Sequence, residues 1–187
     1  MSTPTVNIPG YLTGTWDIDP IHSDVSITAR HLLVSKVRGH FEDFGGTITT
    51  AENPLDSKVD ATIQATSINT KQGQRDDHIR SADFLDVENF PTITFVSTGL
   101  RTAGDDYELD GNLTLHGVTK PVTLKLEITG FGPGMGGEQR VGFEAKTSVN
   151  RKEFDIRFNG TIEGTGGAVV SDKLDVTLAI EAILRAA

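Results

Sequence analysis

Apolar and polar residues alternate along most of this chain. Between Tyr107 and Leu115 every second residue is apolar or glycine, and the residues between them are Glu, Asp, Asn and Thr. Successive side chains of a strand point to opposite faces, so this spacing predicts a strand with one buried face. The same alternation returns in four other segments: 59–65, 122–128, 141–145 and 174–180.

Further apolar segments complete the predicted strands: Trp16–Ile18, Val25–Ala29, Val37–Ile48, Ile93–Val96 and Phe154–Gly164. The chain then has about eight to ten strands at the spacing of an antiparallel all-β domain. Short turns such as Gly104–Asp106 separate them, so neighbours in sequence are expected to pair. Such strands either stack as a sandwich or close into a barrel, and an eight-stranded barrel is either filled or holds one small ligand. The alternation is compatible with each arrangement.

One helix is predicted, from Gln72 to Leu85. Asp76 and Asp77 favour its first turn, where a carboxylate complements the helix dipole. Its proposed buried stripe recurs at helical spacing: His78, Ile79, Ala82 and Leu85. We expect it to be a short insert between strands.

Composition and charge exclude several classes of function. The 187 residues include 17 Lys and Arg against 26 Asp and Glu, and the net charge is -9. This length fits one domain, and an acidic chain without a basic cluster predicts no nucleic-acid binding. The chain has no Cys, which excludes disulfides and thiolate zinc sites. No apolar stretch approaches the ~20 residues that cross a bilayer, so we expect no stable membrane insertion.

The first residues do not resemble an export signal. Residues 1–13 lack the basic start and unbroken apolar stretch of a secretory signal. We therefore predict an N-terminal leader at 1–13, a single β-barrel domain at 14–187, and a cytoplasmic location.

Two patterns that suggest chemistry have simpler explanations. Gly132–Gly137 matches the dinucleotide-binding glycine pattern, but alternating residues of another strand follow it, so we predict a hairpin loop. The five histidines have no metal-ligand spacing: His22, His31, His40, His78 and His116. We predict no metal site, no cofactor and no catalytic residues.

Several short segments stand in a recognisable order and spacing: Asp17–Asp19 with His22–Ser23, Arg30–His31, Val37–Phe41, Arg75–Phe84, Phe90–Phe95, Gly111–Pro121 and Asn150–Arg151. Together they resemble the YceI-like family over residues 14–184. The resemblance implies an extended, lipocalin-like antiparallel barrel of about eight strands. Position 85 is Leu where the resemblance leads us to expect Phe, a change that keeps the segment apolar.

The resemblance also implies a function and an assembly. It suggests a non-catalytic carrier or sequestering protein for a polyisoprenoid or an isoprenoid quinone, and it suggests homodimers. The residues that we expect to contact such a ligand are apolar strand residues and two polar residues of the predicted helix: Leu33, Phe41, Phe44, Phe84, Phe90, Ile93, Phe95, Leu113, Leu115, Leu124, Leu126, Phe143, His78 and Arg80. The two polar residues would meet the ligand's head group.

Two other functions remain open from the residues alone. One is a hydrolase or isomerase at the barrel mouth, with His78 or His31 as base and Arg75 or Asp77 as a second group. The other is a structural or partner-binding domain with a filled core.

Overall fold

Antiparallel strands make up most of the protein. The computed structural model describes residues 6–160 and 169–186. The strands are β1 (Gly14–Ile18), β2 (Asp24–His31), β3 (Ser35–Phe41), β4 (Phe44–Thr50), β5 (Lys58–Gln64), β6 (Ile68–Asn69), β7 (Thr92–Ala103), β8 (Asp106–Leu115), β9 (Val118–Pro133), β10 (Gln139–Asn150) and β11 (Lys173–Leu184). The predicted all-β class is confirmed.

Eight of these strands close a ring in the order β1, β4, β5, β7, β8, β9, β10, β11. Closure is made by β1 and β11, where Trp16 lies opposite Leu184 and Ile18 opposite Ala182. The sheet is therefore a closed antiparallel barrel, as the resemblance implied, and not a sandwich.

Strands β2, β3 and β6 extend the wall beyond β11. The other half of β11 pairs with β2, so that Leu178 lies opposite Val25. The predicted strand Val37–Ile48 is broken at Glu42 and Asp43. There the Glu42 amide donates to the Ser67 carbonyl at 3.2 Å, outside the strand pairs on either side. Short non-strand segments also separate β1 from β2 and β5 from β6.

The ring is sealed by a cluster around Trp16. Trp16 and Ala182 are fully buried, and they pack with Ile48 and Val141. The indole Nε1 donates to the Thr50 hydroxyl at 2.9 Å. Burial of a large ring with its one polar atom satisfied stabilises the closure between the first and last strands of the barrel.

The turn between β8 and β9 is tight, because β8 ends at Leu115 and β9 begins at Val118. His116 and Gly117 both have positive φ, 52° and 72°, as a type I′ turn requires. A Cβ on Gly117 would lie 2.5 Å from the Phe90 ring, so glycine also allows the ring to pack there. Residues 134–138 connect β9 to β10, so the glycine pattern lies at a hairpin connection as predicted, although Gly132 and Pro133 are the last paired residues of β9.

The helix is shorter than predicted. Helix α1 spans Gly73–Arg80 and ends because Ser81 has extended backbone dihedrals and donates both its amide and its hydroxyl to the His78 carbonyl. Ala82 is exposed and lies outside the helix, so the predicted stripe to Leu85 is wrong. Within the described residues, no helix is long and apolar enough to span a bilayer.

The predicted strand Phe154–Gly164 is also wrong over its described part. Arg151–Phe154 form a 3-10 turn, and residues 155–160 belong to neither helix nor strand. Asp155 takes a left-handed conformation with φ 59°, which redirects the chain after the turn. Residues 161–164 lie outside the described residues.

The two ends of the barrel differ. One end, called the helix end here, carries α1, the β2–β3 turn and the segment after β10; the His116 ring there hydrogen-bonds to the Phe154 carbonyl at 3.1 Å. The opposite end, called the far end, carries the Gly104–Asp105 turn and the β9–β10 loop.

Candidate functional site

A long apolar cavity occupies the inside of the barrel. Leu85 and Ile156 line it at the helix end, and Ile8, Tyr11 and Phe131 line it at the far end. It therefore runs along the whole barrel. None of the described residues on its wall carries a formal charge at neutral pH.

The cavity is large enough for a ligand. Its volume is about 240 Å³, against the roughly 10–15 Å³ that a single water needs. The interior is therefore not filled by its own side chains. The sequence alone left this point open, and it separates a binding barrel from a filled structural one.

Nine of the predicted ligand contacts lie on the cavity wall: Phe41, Phe44, Ile93, Phe95, Leu113, Leu115, Leu124, Leu126 and Phe143. The register is the predicted one, because Leu113 lines the cavity while its neighbour Asn112 is exposed. The alternation of apolar and polar residues is sufficient to assign these side chains to the inside, since only one face of each strand points into the barrel.

The other five predicted contacts are not on the wall. Leu33 is 68% exposed at the β2–β3 turn, and Phe90 packs on the His116 ring with centroids 4.7 Å apart. Phe84 packs edge-on against Phe158, at 5.3 Å between centroids. His78 and Arg80 lie on α1, and their contact with a ligand stays a prediction.

The polar side chains of the helix segment bond to the protein itself. Arg80 donates to the carbonyls of Thr66 and Ile68, each at 2.8 Å, and so ties α1 to the 3-10 turn Ala65–Ser67 and to β6. The His78 ring pairs with Asp83 at 2.8 Å. Arg75 and Asp77, named as second groups for a hydrolase, pair with Thr70 and Arg80 respectively.

Sequence reasoning missed part of the wall. Ile8 and Tyr11, in the segment predicted to be a leader, line the cavity, and so does Leu85 after the helix. The sequence offers little indication of this, because none of the three belongs to a segment in which apolar and polar residues alternate. Strand alternation could have found others that were not named: Val59, Ala61, Ile63, Val176, Leu178 and Ile180.

The hydroxyls at the far end of the cavity already have partners. Tyr11 donates to the Ala51 carbonyl at 2.7 Å and also bonds to the Ser57 hydroxyl at 3.1 Å. Thr50 donates to the Leu12 carbonyl at 2.7 Å. No buried side-chain polar atom lacks a partner in the described part of the chain. The wall therefore offers a ligand apolar surface and few free hydrogen bonds.

Outside the cavity, tertiary structure gathers an ionic cluster that spacing did not reveal. Asp19, which is buried, contacts His22 at 2.8 Å and Arg140 at 3.0 Å, and Arg140 also contacts Glu181 at 2.6 Å. One side-chain oxygen or nitrogen from each of Asp19, His22 and Glu181 lies within 4.8 Å of the other two, close enough together to contact one cation. Arg140, whose pKa is raised by Glu138 and its other carboxylate partners, already supplies the positive charge between the two carboxylates. We assign the cluster to holding β1, β10 and β11 together.

This cluster predicts a pH dependence of stability. The hydrogen bond from His22, aided by Arg140 and opposed by burial, lowers the pKa of Asp19 from 3.8 to about 2. A lowered folded-state pKa means that stability is complete above about pH 5 and is lost as the pH falls toward 2. We expect Asp19→Asn to remove about 2 kcal/mol of this acid-sensitive stability. Urea unfolding at several pH values measures it.

The control is Asp105→Asn, which removes a carboxylate from the exposed β7–β8 turn. Its pH profile should match that of the parent protein. An Asp19→Asn profile as steep as the parent's between pH 5 and 2 would assign the acid sensitivity to another group.

Arg151 anchors the segment that follows β10. It is 2% exposed and donates to the carbonyls of Ile156 and Phe158, at 3.0 and 2.7 Å, and of Ser171, at 3.1 Å. Burial lowers the pKa of its guanidinium. One cation thus fixes both described arms of the segment that joins β10 to β11.

Comparison with known proteins agrees with this geometry. The family model of the YceI-like domain matches residues 16–182. The chain belongs to the YceI-like family. Among curated relatives, Protein YceI of Escherichia coli O17:K52:H18 (strain UMN026 / ExPEC) is 40% identical over 163 residues, which cover 87% of this chain and 82% of the relative.

Solved structures extend the likeness of this YceI-like protein. A Campylobacter jejuni YceI protein superposes with a TM-score of 0.71 at 28% identity, covering 84% of this chain and 90% of that one. A polyisoprenoid binding domain from Saccharophagus degradans, implicated in plant cell wall breakdown, superposes with a TM-score of 0.70 and covers 93% of this chain and all of that one. At 14% identity this second likeness shows the fold alone.

Proposed function

We propose that this YceI-like protein binds one long apolar ligand, of the polyisoprenoid or isoprenoid quinone type, along the inside of its barrel. Its role is to carry or sequester that ligand, without catalysis. The observation that supports this most is the cavity, which runs from Ile8 and Tyr11 to Leu85 and Ile156 with no charged residue on its described wall. Family membership and the polyisoprenoid-binding neighbour support the same class of ligand.

The energetics follow from the wall chemistry. Each methylene that leaves water for an apolar wall contributes about 0.8 kcal/mol. Affinity should therefore rise with chain length until the cavity is full. Because the wall hydroxyls of Tyr11, Thr50 and Ser57 already have partners, the cavity offers a polar head group little compensation for lost water.

Two measurements test the proposal. Mass spectrometry of an organic extract of freshly purified protein should reveal a long-chain lipid that co-purifies. After the lipid is removed, titration should give tighter binding for decaprenol than for farnesol, and similar binding for a polyprenol and a hydrocarbon of equal length.

Equal affinities for short and long chains would contradict the proposal. So would a lipid-free extract combined with no binding of decaprenol by the delipidated protein. Turnover of a small ester or isomerisable substrate, abolished by His78→Ala, would support the enzymatic alternative instead.

A further inference from the structure

The turn between β2 and β3 exposes apolar side chains to water. Leu32, Leu33 and Val34, called the apolar tip here, are 39%, 68% and 87% exposed. Three consecutive apolar residues in the turn of a β-hairpin are unusual, since turns favour Gly, Asn, Asp, Ser and Pro. The barrel gains no core from them.

The backbone of this tip is strained as well. Leu32 and Leu33 have φ values of 53° and 61°, in the left-handed region that Gly and Asn adopt most easily. Leu is thus present where the fold alone would favour a smaller or more polar residue. Strain of this kind points to a role outside folding.

Cations flank the apolar tip. Arg30 and Lys36 lie directly opposite each other on β2 and β3, a like-charge pair that weakens the hairpin. Arg38 lies opposite Thr28, two residues beyond Lys36 on β3. Among the described residues, no ion pair of 4.0 Å or less joins a carboxylate to any of these three cations. The Asp175 carboxylate of β11, opposite Thr28, contacts Ser148 at 2.8 Å and Lys173 at 3.4 Å. The sequence from Val25 to Phe41 contains no Asp or Glu, although the chain has 26.

We propose that this hairpin docks the helix end of the barrel reversibly on an anionic lipid bilayer. The apolar tip enters the acyl region, while Arg30, Lys36 and Arg38 meet the lipid phosphates. A net charge of -9 repels the rest of the surface from such a membrane, so the hairpin also sets the orientation. A single turn is too small for a stable protein interface, which buries about 1,200 Å² or more.

Vesicle flotation tests the proposal, with phosphatidylcholine alone and with phosphatidylcholine containing one-third phosphatidylglycerol. These vesicles contain no isoprenoid, so the result is independent of what the cavity binds. The parent protein should float with the anionic vesicles at low salt and be released by high salt. Leu33→Ser/Val34→Ser should weaken binding at least about tenfold. Each of Arg30→Gln, Lys36→Gln and Arg38→Gln should weaken it about fivefold.

The matched control is Met135→Ser. Met135 is fully exposed in the β9–β10 loop at the far end, so the variant removes exposed apolar surface without touching the hairpin. It should float like the parent. Melting temperatures should not fall in the tip variants, because they lose no buried side chain.

Three results would overturn the proposal. One is equal flotation of the parent protein with neutral and anionic vesicles, or none with either. Another is an equal loss in Met135→Ser. The third is a tip variant that floats normally but shifts from dimer to monomer in light scattering, which would assign the apolar tip to contact between two copies of this chain.

Discussion

Arg151→Met is expected to lower the free energy of unfolding by about 4 kcal/mol. The substitution keeps an unbranched apolar stem but leaves the carbonyls of Ile156, Phe158 and Ser171 without their donor in a buried site. An unpaired buried acceptor costs about 1–3 kcal/mol, and breaking a buried charged site about 3–5 kcal/mol. At this chain length the melting temperature should fall by roughly 10 °C.

Arg157→Met is the matched control, because Arg157 lies in the same segment with an exposed side chain and, within the described part of the chain, pairs with Asp155 alone. It should change stability by less than about 1 kcal/mol. Arg151→Lys should not restore stability, because an ammonium cannot span acceptors that the planar guanidinium reaches together. Equal melting temperatures for Arg151→Met and Arg157→Met would show that the anchoring role is wrong.

Ala145→Phe is expected to weaken decaprenol binding roughly 100-fold. Ala145 is a small, buried residue on the cavity wall, opposite Leu126 and Leu178 on the neighbouring strands. A phenyl ring there takes the place of about three or four ligand methylenes, each of which contributes about 0.8 kcal/mol. Fluorescence titration of the delipidated variant measures the loss.

Lys146→Phe adds the same ring one residue later, and strand alternation places it outside the barrel. Its decaprenol affinity should equal that of the parent. If both variants bind decaprenol normally, the ligand does not pass the middle of the barrel. Farnesol should be affected less than decaprenol by Ala145→Phe, since a short chain can shift along the cavity.

Local alternation made the barrel wall predictable. Leu113 and Leu124 could be assigned to the inside because a strand has only two faces and one of them is apolar. The last residue of α1 was less predictable. Ser81 ends α1 by donating two hydrogen bonds to one carbonyl, and no periodic pattern in the sequence marks such an end. The interruption at Glu42 depends on a partner, Ser67, that lies 25 residues further along the chain.

The polar contacts between distant residues could not be predicted in the same way. Arg151 stands between Asn150 and Lys152 in sequence and looks like a surface residue. Its burial depends on the carbonyls of Ile156, Phe158 and Ser171, which come together around it only in the folded protein. Asp19 likewise meets Arg140 across the barrel closure. Such contacts depend on which strands are neighbours in the closed sheet, and the sequence pattern alone does not show that order.

The pairing of β1 with β11 has a kinetic consequence. Ile18 and Ala182 are partners that lie 164 residues apart in the chain. At about 5–20 residues per second, ribosomal synthesis separates their appearance by roughly 10–30 s. Until then the Trp16 cluster lacks Ala182, and the inward face of every earlier strand stays accessible to water. A barrel with such non-local contacts folds slowly, so its nascent sheet is open to chaperones, and to any apolar chain nearby, before the wall closes.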